Sequence, residues 1–326
     1  MTLDPLTSAQ IAGLVRQVFP DAAIQSHHCV PGPQTHLYYH LELDNLIEAA
    51  LKLYPSSSLA RAEREIRLLR LITSETGAPV PRVLHYAERL PDRSAGDARS
   101  TPWALLTWLP GQSFAQIRQT MDDWELEAVG YEMGRYLGHI HQLRLDRFGT
   151  LFEDGPHNHT REKAHLLSQA KDWLDKCAAD SILSQATIEA LEQSFTRTDL
   201  LDRRQACLVH GRFEPRHILL ERGATGYHVT GIVDFTHARA GSPEQDMVLL
   251  LDPDFQQAPT FQKGFLDGYA ESGELSATFW GRLKIYRLFA ALERVLRAHK
   301  REQFDRVKTH AEHIDHYLHD DKYDPN

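Results

Sequence analysis

The sequence predicts an α+β protein, with a small β-rich N-terminal lobe followed by a larger, mainly helical C-terminal lobe. Three observations carry this reading. Before residue 108, short β-rich runs are separated by turn residues, with Pro31-Gly32-Pro33 and Asp44-Asn45 as punctuation. One long helical pattern, over 59–77, interrupts those runs. Beyond about residue 113, apolar residues recur at steps of three and four in segment after segment. The chain has 326 residues, enough for two lobes, and the crossing is expected within 103–111, giving lobes 1–108 and 109–326.

The elements follow in order. LTSAQIAGLVRQVF, over 6–19, reads as a helix with Ile11, Leu14, Val15 and Val18 on one side. CVPGPQTHLYYHLEL and DNLIEAALKLYP read as antiparallel strands joined by turns, with Lys52 near the end of the second. Ser56-Ser57-Ser58 offers an N-cap to the next helix. Its apolar stripe is Leu59, Ala62, Ile66, Leu69 and Ile72, and Gly77 marks its end. APVPRVLHYAE and TPWALLTWLPG are two more strands, with the polar tract LPDRSAGDARS as the loop between them. In the second lobe, WELEAVGYEMGRYLGHIHQL carries a stripe of Leu126, Val129, Met133, Tyr136, Leu137 and Ile140. REKAHLLSQAKDWLDKC and SQATIEALEQSFTRTDLL read as further helices. Short strands occupy 207–235, and the rest is mostly helical to about residue 319.

Composition narrows the function. Apolar residues make up 42% and charged residues 25%, the balance of a globular chain. The net charge of -9 argues against a nucleic-acid partner and suits a cationic small molecule. Cys29, Cys177 and Cys207 are scattered and show no CxxC spacing, as in a reducing compartment. No leader pattern opens the sequence, and no apolar run approaches the ~20 residues of a membrane span. A cytoplasmic protein without a membrane partner is therefore expected. No GxSxG elbow supports a Ser-His-Asp hydrolase. His310, His313 and His316 read as a solvated helix face, and His157-x-His159 as part of a polar loop.

The order and spacing of several pieces resemble the aminoglycoside phosphotransferase and choline kinase family, part of the protein-kinase-like fold. VPGPQTHLYYHLEL resembles the phosphate-covering turn between the first two strands, and AALKLYP the strand that carries the nucleotide lysine. AEREIRLLRLI followed by PVPRVLHY is similar to the first long helix and its exit, and ALLTWLPGQSF to the lobe hinge. LGHIHQL followed by RFG resembles the helix running toward the catalytic region. LVHGRFEPRHILL and GIVDFTHARAGSPEQDM resemble the catalytic and metal loops. The resemblance runs from about residue 24 to the C-terminal helices. It implies a bilobal protein-kinase-like fold, with 1–108 as the nucleotide-binding lobe and 109–326 as the catalytic and substrate lobe. It also implies ATP or GTP with Mg2+, and a hydroxyl of a polar small molecule as phosphoryl acceptor.

The resemblance implies roles as well. Lys52 reaches the nucleotide's phosphates, held by Glu65 rather than Glu63, because Glu65 lies beside Ala62 and Ile66 on the apolar face. Gly32, in the turn 31–36, covers the phosphates. Main-chain groups of Thr107, Trp108 and Leu109 meet the base edge, with Leu219 and Ile232 as apolar walls. Asp234 and His217 hold the metal. His217 stands where many kinases have Asn, and resembles the His variant of the 2''-type aminoglycoside phosphotransferases. His210 and Asp246 are scaffold, while Glu244, Asp252, Asp254 and Asp267 are candidate acids for a cationic substrate.

The departure is Arg212. It stands two residues after His210, where the family carries its catalytic Asp. That Asp accepts or orients the acceptor's proton, and a guanidinium, which stays protonated, does neither. Three readings stay open. One is an enzyme in which Glu214 substitutes, or in which a loose phosphoryl transition state needs little base. Another is a catalytically degenerate pseudokinase that binds nucleotide or metabolite as a sensor. The third is a repurposed fold in which Arg212 helps a different group transfer.

Overall fold

The computed structural model describes residues 4–30, 36–91, 101–152, 158–196, 200–201, 203 and 205–319, with 253 and 254 described for backbone only. They form two compact units. The first takes the residues up to 117 together with 215–236; the second takes 118–214 together with the residues from 237 on.

In the first unit, α1 (Ser8–Arg16) opens on a capping box. The Thr7 hydroxyl accepts from the Gln10 amide at 3.3 Å, and the Gln10 side chain accepts from the Thr7 amide at 2.9 Å. Five strands follow: β1 (Ile24–Val30), β2 (Leu37–Leu43), β3 (Glu48–Leu53), β4 (Val83–Ala87) and β5 (Trp103–Thr107). They pair antiparallel in the order β1-β2-β3-β5-β4. The two-residue period sorts their side chains. Tyr39, Leu41, Leu43, Leu51, Leu53, Trp103 and Leu105 form one core with Ile11, Leu14 and Val15 of α1. The alternate positions fall on the other face, where Tyr38 pairs with Lys52 and Lys52 with Ala104. A slip of one residue would carry Lys52 into the apolar core, so the hydrophobic pattern itself fixes the face on which Lys52 sits.

Between β3 and β4 runs α2 (Leu59–Glu75), which buries Ala62, Glu65, Ile66, Leu69 and Ile72. Six more short strands are β6 (Gln112–Ser113), β7 (Arg144–Leu145), β8 (Ala206–Val209), β9 (Ile218–Gly223), β10 (Gly226–Ile232) and β11 (Arg239–Gly241). The sheet β10-β9-β6 belongs to the first unit, which explains why 109–117 and 215–236 group together: Gln112 and Ser113 pair with Leu220 and Leu219. The four-residue α3 (Phe114–Ile117) closes this segment.

The second unit holds the sheet β11-β8-β7 and the remaining helices. These are α4 (Asp123–His141), α5 (Glu162–Ala179), α6 (Gln185–Thr196), α7 (Glu244–Met247), α8 (Pro253–Gln256), α9 (Pro259–Ala270), α10 (Phe279–Lys300) and α11 (Phe304–Leu318). Its core joins Leu166, Leu174 and Cys177 of α5, Leu191 and Phe195 of α6, Phe289, Leu292 and Val295 of α10, and Ile314 of α11.

Helices α4 and α9 meet differently from the apolar stripe read off the sequence, in which Leu126 and Tyr136 are only half-buried. Their backbones touch. A Cβ on Gly134 would stand 2.0 Å from the Phe265 carbonyl oxygen, and one on Gly268 2.0 Å from that of Tyr131. Backbone atoms cannot rotate away, so Gly134→Ala must push the helices apart. The expected loss is ~1–3 kcal/mol or more, seen as a lower midpoint in urea. Gly13→Ala in α1 is the control. Nothing lies within 4 Å of its Cβ, and relief of helical glycine is expected to stabilise by ~0.5–1 kcal/mol. An unchanged midpoint for Gly134→Ala would contradict the backbone contact.

Candidate functional site

Lys52 is 1% exposed and donates to both carboxylate oxygens of Glu65, at 2.6 and 2.7 Å. Glu65 comes from the buried face of α2. The ammonium also lies over the rings of Tyr38 and Tyr54, 5.0 and 4.7 Å from their centroids. Burial alone would lower the Lys52 pKa, but the Glu65 charge outweighs it and holds the group well above its ordinary value. The His36 ring stands edge-on to Tyr54 at 5.3 Å. Burial first, and the Lys52 charge next, push its pKa down to about 4.

Tyr38 and Tyr54 are absent from the sequence reading, which has His36 only as the end of the turn 31–36, although the alternation gives a signal for both tyrosines. Tyr54 is two residues beyond Lys52, and Tyr38 is its cross-strand partner. The shift of His36 sets a pH dependence. A histidine pKa depressed in the folded state gives stability that is present above about 6.5 and is lost progressively as pH falls toward 4. Thermal midpoints of the wild type are therefore expected to fall across that window, and His36→Gln to flatten the fall.

At the end of β5, the Thr107 amide donates to the Arg82 carbonyl at 2.9 Å and the Trp108 amide to the Glu48 carbonyl at 3.3 Å. These two donors, expected at a base edge, instead extend the sheet's own ladder. The Leu109 side chain, by contrast, approaches Leu219: a Cβ on Gly231 would meet Leu109 at 2.9 Å and Leu219 at 3.1 Å. Ile232 is fully buried. Gly32 lies outside the described residues.

His217 ends the 3-10 turn Pro215–His217, and Asp234 follows β10. The His217 Nε2 atom lies 3.3 Å from Asp234 Oδ2, while the Thr236 hydroxyl donates to Asp234 Oδ1 at 2.5 Å. The Val233 amide donates to the His217 carbonyl at 2.9 Å, locking turn to strand end. Asp234 adopts φ 67°, a left-handed conformation uncommon outside glycine but accessible to Asp. Among the described residues no group of three or more His, Cys, Asp or Glu side chains converges on a metal position. One carboxylate and one imidazole fit an ion such as Mg2+ that completes its shell with water and phosphate oxygens; they do not make a closed protein cage.

In the second unit, Asp246 fixes the loop after β8. Its carboxylate accepts from the His210 amide at 2.6 Å and the Gly211 amide at 2.8 Å, with His141 Nε2 at 3.2 Å. Burial alone would raise the Asp246 pKa; the His141 hydrogen bond and charge, then His210, hold it below its ordinary value. Gly211 has φ 75°, and a Cβ there would stand 2.2 Å from the His237 carbonyl oxygen. The Arg212 amide donates to the His210 ring at 3.3 Å.

Phe213 is buried and packs near His210 and Phe265, with centroids 6.0 and 6.4 Å away. Its neighbours Arg212 and Glu214 meet each other, Nη2 to Oε2 at 3.7 Å, and the second Glu214 oxygen lies 3.7 Å from Arg294 of α10.

The acids expected to attract a cationic ligand are largely engaged elsewhere. Glu244 is 1% exposed and accepts from Arg282 and Arg203, both at 2.8 Å. It belongs to a buried network in which Glu162 also accepts from Arg282, Ser242 and Tyr286. Glu244 thus ties α7 to α10 and is closed to a ligand, which corrects the reading of it as a ligand-facing acid. Asp267 is exposed and accepts from Lys263 at 3.1 Å. Asp252 is exposed, and the side chain of Asp254 lies outside the described residues.

A five-stranded antiparallel sheet with an embedded lysine-bearing strand, followed by a larger helical part, defines a kinase-like phosphotransferase fold. Residues 30–286 match the family of phosphotransferase enzymes designated APH, and the chain belongs to that family. Among solved structures, the gentamicin complex of APH(2'')-IIa superposes with a TM-score of 0.66 at 15% identity, over 96% of this chain and 97% of that one. The macrolide 2'-phosphotransferase MphH from Brachybacterium faecium gives 0.65 at 17% identity, over 92% and 96%. ADP-bound APH(2'')-Ib gives 0.66 at 16% identity, over 96% and 97%. At such identities the likeness establishes the fold.

Proposed function

We propose that the protein binds a nucleoside triphosphate, ATP or GTP, with Mg2+, and transfers the terminal phosphoryl group to a hydroxyl of a polar small molecule. One observation carries this reading: a single compact unit holds both the Lys52–Glu65 pair and the His217–Asp234 pair. The first supplies a fixed cation for phosphate oxygens, and the second a two-ligand metal position. Leu109, Leu219 and Ile232 offer the base an apolar surface, and the Leu109 main chain and the Thr107 and Trp108 carbonyls are the groups for its edge. Gly32 remains the residue assigned by this reading to cover the phosphates. Bound Mg2+ would neutralise phosphate charge beside Asp234 and His217. In the transfer, the bond from the terminal phosphorus to its bridging oxygen breaks, a bond to the acceptor oxygen forms, and the acceptor proton passes to water. No helix among the described residues is long and apolar enough to cross a membrane, and we place the protein in the cytoplasm.

Arg212 sets the rate. Loss of a positioned base costs ~100- to 10,000-fold. Glu214 is a poor substitute, because the guanidinium groups of Arg212 and Arg294 flank its two oxygens and compete with an acceptor hydroxyl for them. That arrangement favours a second reading, a nucleotide-binding sensor without turnover. Two measurements decide. Thermal stabilisation by ATP or GTP with Mg2+ is expected for the wild type, and no shift with either nucleotide would sink both readings. Arg212→Asp is expected to raise phosphoryl transfer to water, measured as nucleotide hydrolysis, by ~100-fold or more if the loop is otherwise competent. A wild type that turns over as fast as Arg212→Asp, and is stopped by Glu214→Gln, would instead make Glu214 the base.

A further inference from the structure

The surroundings of Arg212 carry information about the acceptor molecule. Phe213 is anchored in the core, and the side chains of its neighbours Arg212 and Glu214 meet each other. There Glu214 is shared by two guanidinium groups, each at 3.7 Å, longer than a hydrogen bond. The three side chains are 15%, 23% and 35% exposed for Arg212, Glu214 and Arg294, so solvent and solutes reach them.

The positive charge extends along the same helices. Arg297 lies one helical turn from Arg294 on α10 and contacts Glu293 at 3.0 Å. On α11, the His310 imidazole is held below its ordinary pKa by burial first, then by the charges of Arg294, His313, Arg306 and Arg297. Arg294 therefore belongs both to this locus and to a group with Arg297 and Arg306 that acts on His310. Of the acids expected to draw a cation, Glu244 is sealed in the core and Asp267 is bonded to Lys263.

We infer that Arg212 and Arg294 form a binding site for an oxyanion group, a phosphate monoester or a carboxylate, on the acceptor molecule, with Glu214 as the internal carboxylate that the ligand displaces. Two planar guanidinium groups offer paired N–H donors matched to such oxygens. Glu214 holds them in place in the absence of ligand and sets a threshold that weak anions do not pass. The inference rests on the acceptor reading proposed above for its biological meaning, but its test needs no nucleotide. It reverses the charge expected of the substrate from the net charge of the whole chain, because a local field outweighs a global balance within a Debye length of ~10 Å.

The test is isothermal titration at low ionic strength with glycerol 3-phosphate and citrate as anionic probes, and spermidine as the cationic one. Wild type is expected to bind at least one anionic probe. Arg294→Ala, at a side chain exposed enough to leave folding intact, is expected to weaken that binding roughly 10-fold or more. Glu214→Gln is the variant with the telling sign: it is expected to tighten the anionic probe several-fold, since the competitor is gone. Failure of both anionic probes, or wild-type binding of spermidine tighter than that of either anion, overturns the site. So does weaker anion binding in Glu214→Gln. A final arm repeats the titration with saturating adenylyl imidodiphosphate and Mg2+. Retained anion binding supports an acceptor site, whereas displacement assigns the arginines to the nucleotide's own phosphate and overturns the inference. If that analogue itself does not bind, the nucleotide reading fails while the anion result stands or falls on the first arm.

Discussion

Arg282→Met is expected to remove a large part of the second unit's stability at ambient temperature. Arg282 is 2% exposed and lies between Glu162 and Glu244, which are 0% and 1% exposed. Removing it leaves two buried carboxylates with Arg203, itself 18% exposed at the side chain, as the cation bonded to Glu244. Breaking one buried pair costs ~3–5 kcal/mol. Two acids stranded together place the loss at or beyond the top of that range, against a total stability of ~5–15 kcal/mol. The pH dependence gives the mechanism away. In the wild type, burial would raise the Glu244 pKa, but Arg282 and then Arg203 hold it below 4.5. Its contribution is thus present above about 4.5 and lost as pH falls through the lower folded value. Arg282→Met inverts this, since protonating the stranded acids relieves it. Circular dichroism in urea from pH 7 to 4 is expected to show the variant gaining relative to wild type as pH drops. Parallel curves for the two proteins would mean that the network's charges are not what holds the unit together.

The second large effect is Glu65→Ala. It leaves the Lys52 ammonium fully buried between two tyrosine rings with its bidentate partner gone. The expected cost is ~3–5 kcal/mol, read as a drop in thermal midpoint. The double variant Lys52→Met, Glu65→Leu removes both charges, and well-packed apolar replacements of buried pairs are commonly neutral or stabilising. It is therefore expected to recover the midpoint while losing nucleotide-induced stabilisation. That outcome separates the pair's structural cost from its binding role. If the double variant still responds to nucleotide as wild type does, Lys52 is not a phosphate ligand.

Much of this protein is legible in its residues one segment at a time. The helix α2 and its burial of Glu65 beside Ala62 and Ile66 follow from a period near 3.6 residues. The face on which Lys52 sits follows from the period of two in β3. What was not legible joins residues far apart in sequence. Glu162 and Arg282 are separated by 120 residues, and no periodicity announces that Glu244, which looks like a surface acid in GSPEQDM, is the buried partner of both arginines. The contact of α4 with α9 was hidden for a different reason. A hydrophobic stripe marks where side chains bury, whereas Gly130 and Gly134 mark where a backbone touches another backbone, and hydropathy does not register that.

The sequence by itself determined the local periods and the family, because each depends on residues within one segment or on the order of segments along the chain. Only the tertiary structure decided which charges meet. It sealed Glu244 into the core, caged Lys52 with Tyr38 and Tyr54, and set Glu214 between Arg212 and Arg294. The physical reason is that an ionic group's behaviour depends on its distance to other charges and to water, and both are set by packing between elements rather than by neighbours in the chain.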